Sequence, residues 1–125
     1  MNESLLPLLK WVGGKRQLLP ELTAKMPRTF NTYFEPFIGG GAMLFELHPK
    51  KAVVGDINGE LINFYNAVKN NVEPLLKLLF TYQNTKEFLL DKRNIDRDPE
   101  KFNLLTSIEK ADRTYYLNRT CCTGI

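Results

Sequence analysis

At 125 residues and 43% hydrophobic content, the chain has the length of one small domain and enough apolar side chains for a globular core. Its 17 basic and 14 acidic residues leave a net charge of +3, which permits contact with a polyanion without requiring it. The two cysteines, Cys121 and Cys122, are adjacent, which excludes a disulfide framework and metal-ligand spacing; no apolar run reaches the roughly 18 residues of a membrane span, and Glu3 and Pro7 break a signal-peptide layout. The expectation is a soluble protein of the reducing cytoplasm, with no metal.

From Leu5 to Trp11 the sequence is apolar and extended in character, and it runs into Val12-Gly13-Gly14-Lys15-Arg16, where glycines let the backbone turn and approach a ligand. Leu18, Leu19, Leu22 and Met26 then recur at helical spacing, predicting a helix with Pro20 in its first turn and Pro27 closing it. The Gly-Gly-Lys run is not an ATP phosphate loop, because Leu9 and Arg16 stand where that motif needs Gly and Ser or Thr. Taken alone, an ordinary turn with a solvated basic patch is the simpler account of it.

The stretch Tyr33-Phe34-Glu35-Pro36-Phe37-Ile38-Gly39-Gly40-Gly41-Ala42-Met43-Leu44-Phe45 reads as strand, tight turn and helix. After the polar turn at His48-Pro49-Lys50-Lys51, Ala52-Val53-Val54-Gly55-Asp56 reads as a second buried strand ending in a carboxylate. Together they predict a βαβ unit with a right-handed crossover. An acid at the end of the second strand of such a unit can bind both ribose hydroxyls, and Asp56 follows Glu35 by 21 positions, 56 minus 35. The third glycine of a dinucleotide fingerprint would fall at Leu44, which argues against a dinucleotide, and no Arg or Lys in the turn favours a pyrophosphate. A cationic adenosine derivative suits the pattern better: Asp56 for the ribose, bare glycines for close approach, and Glu35 near an ammonium or sulfonium charge. S-adenosylmethionine has these features.

Beyond Asn58, a plausible N-cap, the pattern is helical. Leu61, Tyr65 and Val68 form one expected core stripe, and Leu75, Leu78, Leu79 and Tyr82 another after Glu73-Pro74. Asp98-Pro99-Glu100 starts a third helix carrying Phe102, Leu105, Ile108, Ala111 and Tyr115. Basic residues Lys92, Arg93, Arg97, Arg113 and Arg119 are interleaved with acids, which fits phosphate contact and a solvated face equally. His48, the sole histidine, is expected at the surface.

Three stretches together, Leu9-Lys10-Trp11-Val12-Gly13-Gly14-Lys15, Phe34-Glu35-Pro36-Phe37-Ile38-Gly39-Gly40-Gly41 with Asp56-Ile57-Asn58, and Tyr116-Leu117-Asn118-Arg119-Thr120, resemble the Dam-type (D12 class) DNA N6-adenine methyltransferases in content and order. The resemblance implies an α/β fold: residues 1–57 as the N-terminal part of a Rossmann-like methyltransferase sheet, and residues 58–125 as a helical target-recognition insertion. It implies S-adenosylmethionine as cofactor and double-stranded DNA as partner. Trp11 and Lys15 would belong to the N-terminal cofactor motif, Glu35, Phe37, Gly39 and Gly41 to the methionine side, and Asp56 to the ribose. Lys10, Asn118, Arg119 and Thr123 would approach DNA. Cys122 and Thr123 depart from the aromatic and Asn usual at those places. The family's Asp-Pro-Pro-Tyr motif is missing, since the sequence has no Pro-Pro pair; Asp98-Pro99-Glu100 is a helix start instead. The expectation is therefore an N-terminal portion of such an enzyme, inactive by itself. A truncated remnant that retains nucleotide or DNA binding is the alternative, and a dinucleotide oxidoreductase a weaker third.

Overall fold

The structure, a computed structural model, describes residues 5–120 and divides into two compact units, Met1–Ile57 and Asn58–Ile125.

In the first unit a 3-10 turn over Lys15–Leu18 leads into α1 (Leu19–Lys25), with Pro20 in its first turn, where a missing N–H costs nothing. Met26 leaves the helix in extended conformation ahead of Pro27. Then follow β1 (Tyr33–Glu35), α2 (Ala42–Leu47) and β2 (Ala52–Val54). The two strands pair in parallel, Tyr33 with Ala52, Phe34 with Val53 and Glu35 with Val54, with α2 in the crossover that such pairing needs. The ladder continues past the strands through Gly55 N to Glu35 O (2.8 Å) and Ile38 N to Gly55 O (2.9 Å), which brings the residues after β2 alongside the glycine turn. His48 ends α2 in the left-handed region (φ 45°) and is exposed. Leu9, Ile38, Ala42 and Met43 are the buried apolar residues of this unit.

Leu5–Trp11 forms no regular element, and within it only Leu9 is buried, while Leu5 and Leu6 remain 56% and 65% exposed. One expectation fails here: the strand β2, expected to be buried, is not. A parallel strand is shielded only when both faces of the sheet are layered over, and in this two-stranded sheet Phe34 and Val53 stand 67% and 56% exposed.

The second unit is helical throughout its described residues: α3 (Gly59–Asn70), α4 (Val72–Leu79), α5 (Lys86–Asn94), a 3-10 turn at Ile95–Arg97, α6 (Pro99–Leu104) and α7 (Ser107–Thr120). Asn58 caps α3 by accepting from Glu60 N at 3.1 Å and Leu61 N at 3.2 Å. Helix α7 is the hub, packing on α3, α4 and α5. The buried stripe of α3 is Leu61, Phe64 and Ala67, in place of Leu61, Tyr65 and Val68, because Phe64 stacks on Tyr115 of α7 (centroids 5.9 Å, planes 15°). Full burial of a side chain such as Leu61 or Phe64 contributes about 1.5–3 kcal/mol.

The helix expected from Asp98 through Tyr115 is two. Asp98 caps α6 by accepting from Lys101 N, then Leu105 turns extended (ψ 138°) and α7 restarts from its own cap. That cap is reciprocal: Glu109 N donates to Thr106 Oγ1 (3.2 Å) and Thr106 N to Glu109 Oε2 (2.7 Å). Sequence periodicity also passed over α5, which Thr85 caps through Phe88 N.

A polar cluster braces α7. Asp112, 1% exposed, accepts from Lys92 Nζ (2.8 Å) and from the Tyr82 hydroxyl. Burial first, then the hydrogen bond and charge of Asp112, hold the Tyr82 phenol well above the ordinary tyrosine range. Arg113, 7% exposed, donates to the Lys92 and Arg93 carbonyls and pairs with Asp96 at 3.0 Å. Buried and held by these contacts, Arg113 braces α5 and the turn after it against α7.

Candidate functional site

The turn after β1 sets the geometry of the first unit. Gly39 and Gly41 take positive φ, 52° and 79°, and Gly41 N closes the turn on Ile38 O at 2.9 Å, so α2 starts from a left-handed glycine. Trp11 lies against this backbone. A Cβ on Gly39 would stand 3.0 Å from Trp11 Cδ1, and one on Gly40 would stand 3.1 Å from both Trp11 Cβ and Leu9 O. Bare glycines are therefore the condition for the indole to sit where it does.

Behind the turn, the Glu35 side chain is 6% exposed and fully engaged. Lys15 Nζ donates to Glu35 Oε1 at 2.7 Å and to the Phe37 carbonyl, while the Tyr33 hydroxyl donates to Glu35 Oε2 at 2.7 Å. Burial first, then the hydrogen bond and charge of Glu35, raise the Tyr33 phenol above the ordinary tyrosine range, so it stays a donor at working pH. The ammonium beside Glu35 is thus the chain's own Lys15.

At the end of β2, Asp56 Oδ2 accepts from Gly39 N at 3.0 Å, fastening the strand end to the turn. Between these groups lies a cavity of about 250 Å³ lined by Trp11, Gly13, Lys15, Phe37, Gly39 and Asp56 among others. Five of the seven expected cofactor residues, Trp11, Lys15, Phe37, Gly39 and Asp56, thus share one wall-to-wall space, while Glu35 and Gly41 support it without lining it.

The expected DNA-facing residues fare differently. Lys10 and Arg119 are exposed, and the Arg119 guanidinium lies 5.5 Å from the Tyr115 ring centre. Asn118 is 0% exposed within the helical unit, so its amide is not presented at the surface where a DNA contact was expected. Thr123, with Cys121 and Cys122, lies outside the described residues. Among the described residues no group of three or more His, Cys, Asp or Glu could hold a metal ion, and no helix is long and apolar enough to cross a membrane.

Comparison with known proteins identifies the family of the chain. The family of D12 class N6 adenine-specific DNA methyltransferases matches residues 11–125. The chain belongs to that family. It is 48% identical over 124 residues to the type II methyltransferase M1.LlaDCHI of Lactococcus lactis subsp. cremoris, an alignment covering 98% of this chain and 43% of the relative. Over 125 residues it is 34% identical to the DNA adenine methylase of Haemophilus influenzae, covering 95% of this chain and 42% of that protein. A type II methyltransferase of Methanocaldococcus jannaschii is 34% identical over 137 residues, with 95% and 47% covered. This D12-class chain therefore spans less than half the length of the curated relatives it matches.

Within it, sequence reasoning missed Tyr33. The signal was present: Tyr33 and Glu35 are two apart on one strand, which puts both side chains on the same face.

Proposed function

We propose that this chain carries the cofactor-binding part of a site-specific DNA adenine-N6 methyltransferase that uses S-adenosylmethionine. Residues 1–57 are then a partial catalytic domain of Rossmann-like type, and residues 58–125 belong to a helical target-recognition region. The observation that carries the reading is the cavity bounded by Trp11, the glycine turn and Asp56, just past the carboxyl ends of two parallel strands, where open α/β sheets bind ligands.

The residues fit this cofactor. Trp11 offers an aromatic surface to adenine, Asp56 a carboxylate to the ribose hydroxyls, and Lys15 an ammonium to the amino-acid carboxylate. At about 250 Å³ the cavity is smaller than the roughly 300 Å³ at which ligand pockets usually begin, so it suits a nucleoside-sized part of the molecule. When bound, S-adenosylmethionine supplies an electrophilic methyl group; these residues hold and orient it. None of them is assigned to polarising the target amine, in a sequence with no Pro-Pro pair. Exposed Lys10 and Arg119 are the candidates for DNA phosphates, and Thr123 for the recognition loop, whereas buried Asn118 is not.

Calorimetric titration of the chain with S-adenosylmethionine tests this. Saturable binding is expected, with Asp56→Ala weakening it roughly 10-fold or more, the scale of a hydrogen bond to a charged group. Asp56→Asn, which keeps an acceptor for Gly39 N, separates loss of the ribose contact from loss of the turn. Absence of binding, with stabilisation by NAD instead, would replace this reading with a dinucleotide site.

A further inference from the structure

Lys15 is the cation of the cavity wall, and its carboxylate partner Glu35 lies outside the lining. Its ammonium has three donors, of which one goes to Glu35 Oε1 at 2.7 Å and one to the Phe37 carbonyl. The Lys15 side chain is 34% exposed while that of Glu35 is 6% exposed, so Glu35 is the buried base of the pair and Lys15 its solvent-facing member. A carboxylate offers two oxygens and can pivot. With only one oxygen engaged, Glu35 could reach Lys15 with either, or turn toward a ligand ammonium. Tyr33 removes that freedom by donating its hydroxyl to Oε2 at 2.7 Å. Tyr33 is itself held at the start of β1, where its N–H is paired to Lys51 O at 2.9 Å and its ring meets Phe30 at 6.5 Å.

We infer that Tyr33 is a positioning residue: through Glu35 it fixes the Lys15 ammonium at the cavity wall, where Lys15 takes the carboxylate of an amino-acid-bearing nucleoside. The ligand half of this inference rests on the cofactor reading above; the positioning half rests on the three-residue relay alone.

The test uses Tyr33→Phe, which removes only the hydroxyl, in the full chain. In the ligand-free protein, the rate at which an N-hydroxysuccinimide acetate reagent acetylates Lys15, read by mass spectrometry against the other lysines, reports how firmly the ammonium is held. A rise of about 3- to 10-fold is expected, the scale of one net hydrogen bond; no change overturns the positioning role. Affinity is then measured for S-adenosylmethionine and for methylthioadenosine, which lacks the amino-acid end. Tyr33→Phe should weaken the first about 3- to 10-fold and leave the second unchanged, and should add nothing in a Lys15→Met background. Equal weakening of both ligands, or additivity with Lys15→Met, reduces Tyr33 to a purely structural role and overturns the inference. A wild-type chain that shields Lys15 yet binds no S-adenosylmethionine would sink the cofactor reading and leave the relay standing.

Discussion

Replacing Gly39 with alanine separates two demands that the glycine turn makes on its sequence. The first is conformational: Gly39 has φ 52°, and an L-residue in the left-handed region costs roughly 1–2 kcal/mol. The second is steric, since the new Cβ would stand 3.0 Å from Trp11 Cδ1 and 3.4 Å from Nε1, so the indole must give by a few tenths of an ångström. Overpacking of this kind adds about 1 kcal/mol or more. Gly13 is the internal control, because its φ of 72° imposes the first cost while a Cβ there meets nothing within 4 Å. Urea unfolding followed by circular dichroism should therefore find Gly39→Ala about 2–3 kcal/mol less stable than wild type and Gly13→Ala about 1–2 kcal/mol less stable. Trp11 is the only tryptophan, so its emission reports on this wall directly and should shift in Gly39→Ala alone. Equal destabilisation of the two variants, with unchanged emission in both, would refute the claim that the indole is seated on the turn.

Three further outcomes follow from the second unit. Tyr82→Phe should cost about 1–3 kcal/mol in urea melts, because it leaves one oxygen of buried Asp112 unsatisfied. Lys92→Met should cost more, about 3 kcal/mol, since it strands the carboxylate without its cation; a neutral result would mean that Asp112 is not buried as described. The third outcome concerns pH. The Thr106 N–H, and then its hydroxyl, hold the Glu109 carboxyl below the ordinary glutamate value, so this cap stabilises α7 above the unfolded glutamate pKa and fades as pH falls through the lowered folded one. Wild type should exceed Glu109→Gln in melting temperature at about pH 6 and converge with it at about pH 3; a gap that persists in acid would contradict the assignment.

Legibility in the sequence followed the range of the interactions. The glycine turn, both strand positions and the Asn58 and Asp98 caps depend on residues within a few places of one another, and local sequence pattern exposed them. The relay of Tyr33, Glu35 and Lys15 did not show: Lys15 and Glu35 are 20 residues apart, and only the folded turn reveals that the ammonium near Glu35 is internal. The break at Leu105 was hidden for a different reason. Apolar periodicity runs through it and hid the break, although the Thr106–Glu109 cap that restarts the helix has the Thr-x-x-Glu spacing. Asn118 illustrates the same limit, since the family resemblance implied an approach to DNA, yet the side chain is buried in the helical unit.

The most direct test of the central claim is photo-crosslinking of S-adenosylmethionine carrying a labelled methyl group, with the labelled peptide located by mass spectrometry. The account predicts label on the segments around Trp11–Lys15 and Phe37–Gly40, abolished by excess unlabelled cofactor and reduced in Asp56→Ala. Label on the helical unit, or label that excess cofactor does not displace, would contradict it.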